Sequence, residues 1–121
     1  MRLDIRSMHL SLDPGALSHI RRRFEQGLDH FAHYILRGRV LLSDVNGPKG
    51  GADKHCPAQL RLRWAAEIII EEEGVELFNV VDLAARRLAV AVGRAVERVR
   101  RSPRHEYRRR LAWLKSKGTE E

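Results

Sequence analysis

The sequence is poor in several things at once. It has one cysteine in 121 residues, which cannot make an internal disulfide, so a reducing compartment is the simpler home. Aromatic residues are 6% of the chain, and no exposed aromatic platform for stacking bases is evident, so base-specific readout of a nucleic acid is not expected. No apolar run approaches the ~20 residues of a membrane span, and no signal-peptide h-region follows "MRLDIR". These absences predict a cytoplasmic protein without a membrane partner. The length suits one domain, long enough to bury roughly two-thirds of the surface of its unfolded form. Hydrophobic residues at 43% and charged residues at 32% suit a packed rather than a disordered chain.

Acidic charge is what the last third lacks. Residues 1–83 carry 11 Lys/Arg against 12 Asp/Glu, whereas residues 84–121 carry 12 against 4. The net charge of +7 therefore lies entirely at the C-terminal end. That placement points to a directed surface for a polyanion, with nucleic acid the first candidate and an anionic membrane surface the second.

"RLDIR" (2–6) alternates like a short strand. Asp13-Pro14 is an N-cap and first-turn pair. Leu17, Ile20, Phe24, Leu28, Phe31 and Ile35 then form one apolar stripe of about six helical turns, with Gly27 a soft spot and Gly38 a stop. "RVLLSDV" (39–45), "AQLRLRW" (58–64) and "EIIIEEE" (67–73) read as strands, the second with Leu60, Leu62 and Trp64 inward. Leu77 to about Ser102 is a long helix ended by Pro103. The order β-α-β-β-β-α predicts an α+β fold with a parallel first pair, an antiparallel meander after it, and both helices on one face. Residues 1–102 form the predicted domain and 103–121 a basic tail.

On a helical wheel the last helix divides in two. Leu77, Phe78, Val81, Ala84, Ala85, Leu88, Val92, Ala95, Val96 and Val99 fall within an arc of about 120°. Arg86, Arg87, Arg94, Arg98 and Arg101 fall within another, and only Arg100 lies outside it. A solvated face usually mixes signs; here the in-helix partners are Asp82 for Arg86, and Glu97 for Arg94 or Arg101. The expectation is a rigid row some 20 Å long that suits phosphates, which arginine engages bidentately.

"DVNGPKGGADKHC" (44–56) lacks the glycine-lysine-serine/threonine offset of a P-loop. Its Asn-Gly and Gly-Gly steps suit a strand connection, from which Lys49, Lys54 and His55 could reach an RNA backbone. Cys56 has no paired ligand spacing for zinc, and Asp53 and His55 lie too close in sequence for a triad. His30 and His33, spaced i,i+3, read as surface or boundary residues. Glu71, Glu72, Glu73 and Glu76 line a sheet edge and the turn into the last helix, where phosphate would be repelled. No catalytic constellation, metal site or cofactor is expected.

"VELFNVVDLAARRLAVAVGRAVERVRR", "FEQGLDHFAHYI" and "LSDVNGPKGGADKHC" resemble the closing helix, the end of the first helix and the loop of the ribosome hibernation-promoting factor and ribosome-associated inhibitor family, also called sigma-54 modulation proteins. The likeness covers residues 1 to about 101. It implies a short-form member, with a layout like double-stranded-RNA-binding domains, that binds the small ribosomal subunit and its rRNA near the mRNA and tRNA path and silences translation under stress. The family's basic positions match Arg23, Arg87, Arg94, Arg98 and Arg100. Val90 and Val96 stand where basic residues are common, and Gln26 where lysine is. The expected RNA contacts are thus Arg22, Arg23, Arg86, Arg87, Arg94, Arg98, Arg100, Arg101, Lys49 and Lys54. The alternative is an interaction or homo-oligomerisation module on the same fold.

Overall fold

Asp13 stands in extended backbone and its carboxylate accepts from the Ala16 amide at 2.7 Å, with Pro14 in the first turn. That start, and the stripe behind it, make the first helix. In the computed structural model, residues 1–44, 53–64, 66–101, 108 and 110–114 are described. The elements are β1 (Arg2–Met8), α1 (Pro14–Leu28), a 3-10 segment (Asp29–Tyr34), β2 (Ile35–Asp44), β3 (Lys54–Leu62), β4 (Glu67–Gly74) and α2 (Leu77–Arg101). The four strands lie in sequence order, β1 parallel to β2 and the rest antiparallel. The α+β layout and the strand directions are those the alternation and connection lengths predict.

Three boundaries differ from the sequence reading. The first helix closes at Leu28, and Ile35 opens β2. The apolar stripe runs on in phase because Phe31 also packs on the core and Ile35 is fully buried in its strand. A 3-10 turn keeps side chains near every third residue, so spacing alone does not separate it from a helix. Gly38 is no helix stop but the middle of β2, paired to Leu3 on one side and Leu60 on the other. A Cβ there would lie 2.6 Å from the Leu60 side chain and 2.9 Å from that of Leu3, so two core leucines fill the space that a side chain would take. β3 begins at Lys54, four residues before the expected start.

Strand alternation sends Leu3, Val40, Leu42, Cys56, Ala58, Leu60, Leu62 and Ile70 to one face, where they meet Ile20, Phe24 and Leu28 of α1 and the stripe of α2. Val80, Val81, Leu88, Val92 and Val96 of α2 are buried; five such side chains contribute on the order of 10 kcal/mol of hydrophobic stabilisation. The helices run side by side in the same direction. His19 meets Phe78, Arg23 meets Asp82, Gly27 faces Ala85 and Ala89, and Phe31 touches Gly93. Glu76 closes the start of α2, its carboxylate accepting from the Phe78 and Asn79 amides at 3.1 and 2.8 Å.

Gly38→Ala should lower the free energy of urea unfolding by about 1–3 kcal/mol through overpacking. Gly27→Ala, whose added methyl would sit at an ordinary 3.5 Å from the Ala85 carbonyl, should raise it by up to about 1 kcal/mol, the helix propensity difference.

Candidate nucleic-acid interface

Burial of Val81, Leu88, Val92 and Val96 fixes the rotation of α2 about its axis. The opposite arc, from Arg86 to Arg98, is thereby turned to solvent. Arg86, Arg94 and Arg98 are exposed and make no ion pair or side-chain hydrogen bond among the described residues. They span about 18 Å along the helix at 1.5 Å per residue. Arg22, exposed on α1 and likewise unpartnered, lies one step round that helix from Arg23, on the solvent side of the α1–α2 seam. Val90 is also exposed on the crest between Arg86 and Arg94, and Leu83 about one turn before Arg86.

The remaining described candidates are engaged. Arg23 donates to Asp82 at 2.7 Å across the seam. The sequence reading paired Asp82 with Arg86; the parallel packing of α1 brings Arg23 to it instead. Arg87 reaches down to β4, donating to the Glu72 carboxylate at 2.7 Å and the Glu71 carbonyl at 2.8 Å. Arg100 leaves the crest: it donates to the Tyr34 hydroxyl at 2.8 Å, with its guanidinium 5.7 Å from that ring's centre. Tyr34 in turn packs on His33 and Trp64. Arg101 pairs with Glu97 at 2.8 Å, but both are well exposed, and such a surface pair is worth only tenths of a kcal/mol.

Lys54 is turned to two carboxylates, 3.1 Å from Asp44 and 3.2 Å from Asp53. The hydrogen bond to Asp44, then that to Asp53, holds its ammonium above the usual lysine range. Its side chain is only 19% exposed, so as a phosphate ligand it is already occupied by the protein's own anions. Asp53 is 4% exposed, and its Oδ1 has no partner among the described residues. Lys49, with 45–52 of the glycine-rich loop, lies outside the described residues.

Cys56 and His55 cannot act as a pair, because strand alternation points them to opposite faces. Cys56 is in the core, while His55 lies 3.5 Å from Glu73 on the other face. Burial first, and the nearby Glu72 second, push the Cys56 thiol up to about 12, so it stays protonated and unreactive at neutral pH. His30 and His33 are exposed, and among the described residues no three acids, histidines or cysteines are grouped as metal ligands. A set of arginines that the sequence reading passed over, Arg2, Arg37, Arg39 and Arg61, lies on the helix-free face of the sheet.

No protein-family model matches the chain, and no curated protein matches it either. Solved structures do. The N-terminal domain of Thermus thermophilus Protein Y superposes with a TM-score of 0.63 at 20% identity, over 78% of this chain and 98% of that one. A ribosomal subunit interface protein from Coxiella burnetii superposes with a TM-score of 0.61 at 16% identity, over 80% and 99%. At these identities the likeness establishes a shared fold.

Native Cys56 should resist alkylation at pH 8 and react once the chain is unfolded. Between about pH 9 and 12 the native state holds a thiol proton that the unfolded chain has released, so stability should fall as pH rises through that window. The cysteine's share of the slope reaches at most about 1.4 kcal/mol per pH unit. Cys56→Ala should remove that share in pH-dependent urea melts.

Proposed function

We propose that this chain is a non-catalytic RNA-binding protein that docks on the small ribosomal subunit and occludes the mRNA and tRNA path, holding ribosomes idle under stress. The observation that carries the reading is the crest of α2, with Arg86, Arg94 and Arg98 in a row on a helix pinned by its other side. Unpartnered guanidinium groups held in a fixed line suit the regularly placed phosphates of RNA, and need little reorganisation to bind them. The shared fold with Protein Y's N-terminal domain and a ribosomal subunit interface protein supports the same target. So do the helix and loop motifs, and a ribosomal target places the protein in the cytoplasm.

Within this reading the arginines divide by role. Arg22, Arg86, Arg94 and Arg98 meet phosphate directly, with Arg101 beside them. Arg23 and Arg87 brace the helix layer, and Arg100 braces the end near Tyr34. Leu83 and Val90 favour a second reading, an apolar contact to a protein partner along the same crest.

Co-sedimentation with purified 30S and 70S particles tests both. Wild type should pellet at moderate salt, and a variant carrying Arg86→Glu, Arg94→Glu and Arg98→Glu should stay in the supernatant with an unchanged circular-dichroism spectrum. Three lost phosphate contacts should also lower the slope of log affinity against log salt by about 2. Arg94→Ala should weaken pelleting more than Arg87→Ala, whose first effect is on stability. Pelleting that survives the triple variant but is lost in Leu83→Asp/Val90→Asp would give the crest to a protein partner.

A further inference from the structure

The sheet has a second face that no described helix covers. The strand register lays its side chains out in rows. Arg2, Arg37, Arg61 and Glu67 form one row across the four strands, and Asp4, Arg39, Gln59 and Ile69 the next. Leu41 and Pro57 follow in the third. Adjacent strands lie about 4.8 Å apart, so three arginines stand side by side across about 10 Å. Like charges directly opposite each other in a sheet destabilise it, and the two rows hold four arginines against two acids, Asp4 opposite Arg39 and Glu67 opposite Arg61. Asp4 pairs with Arg6 at 3.3 Å, and Glu67 accepts from Gln59. Arg2, Arg37, Arg39 and Arg61 make no ion pair or side-chain hydrogen bond among the described residues. A small cleft of about 40 Å³ opens between Arg37, Arg39, Gln59, Arg61 and Glu67. Beside it lies a wider depression of about 410 Å³, lined by Asp4, Arg6, Arg39, Leu41, Pro57 and Ile69.

We propose that this face is a second RNA-binding site, taking one single-stranded segment, so that the domain holds RNA on both sides. The excess of four arginines over two acids in these rows is what the free protein leaves unbalanced, and a polyanion is the ligand that balances it. Four cations spread over two rows exceed the footprint of one phosphate and match successive phosphates of a strand. The apolar side chains next to them, Leu41, Pro57 and the exposed Ile69, accept a splayed base, which only unpaired RNA offers. Glu71 and Glu73, in the following rows on β4, repel the backbone and set where the strand leaves. The α2 crest lies across the helix layer from this face, so one segment cannot serve both sites.

The test uses the full chain with a fluorescein-labelled 12-nucleotide single-stranded RNA at low salt, reading stoichiometry by sedimentation velocity and affinity by anisotropy. Wild type should carry two strands. The variant Arg37→Thr/Arg39→Thr/Arg61→Thr should carry one, lose at least tenfold in affinity at the weakened site, and show a salt slope lower by about 2. Its melting temperature at low salt should equal or exceed that of wild type, because the substitutions remove repulsion; a folding defect would lower it. The crest variant separates this inference from the ribosomal reading. If crest substitutions leave RNA binding intact while the sheet variant loses a strand, the sheet site stands alone. An unchanged stoichiometry and slope in the sheet variant overturns the proposal. So does a concentration-dependent protein dimer that the sheet variant abolishes with RNA binding unaltered, which would assign the face to a second copy of the chain.

Discussion

Everything on the functional side of this molecule depends on the burial of one stripe, Val80 to Val96, against β3, β4 and α1. The stripe gives α2 one azimuth about its own axis. Once Leu88 and Val92 are in the core, the crest at Arg86, Arg94 and Arg98 is fixed in space with no further interaction needed to aim it. The seam with α1 completes the constraint. Gly27, Ala85, Ala89 and Gly93 let the two backbones approach closely, and the Arg23–Asp82 pair bridges the seam. Binding energy on such a surface is not spent on ordering the scaffold, only on the outer bonds of the arginine side chains.

The arginines sort themselves by what the fold places beside them. Arg87 has an edge strand with Glu72 below it, and Arg100 has Tyr34; both become internal struts. Arg86, Arg94 and Arg98 face outward over a stretch whose only acid is Glu97, and that acid faces Arg101. The formal count of basic residues on α2 therefore overstates the number available to a ligand.

Element types and order were legible in the sequence because they follow from local patterns: period-two alternation in β3, the capped start at Asp13-Pro14, and the two-sided wheel of α2. The end of α1 was not, since a 3-10 turn preserves the stripe that defines a helix. The crest was legible for the same reason as the helix, being a property of one element. The engaged partners were not. Asp82 offered an arginine four residues away in its own helix but received Arg23, 59 positions distant in sequence. The row Arg2–Arg37–Arg61 was also invisible. It exists only after three strands far apart in the chain have found their register, and the composition of residues 1–83, nearly neutral in sum, hides it.

The acidic run on β4 has a further consequence. Glu67, Glu71 and Glu73 occupy the edge strand β4 of a molecule whose net charge is +7, so the charge is arranged as a dipole as well as a net excess. A dipole in the field of a polyanion feels a torque before it feels contact. The acidic edge is driven outward and the basic sides swing inward while the partners are still about a Debye length apart, ~8–10 Å at physiological salt. With RNA as the proposed partner, the glutamates would act on the geometry of encounter, raising the fraction of collisions that arrive in a usable orientation.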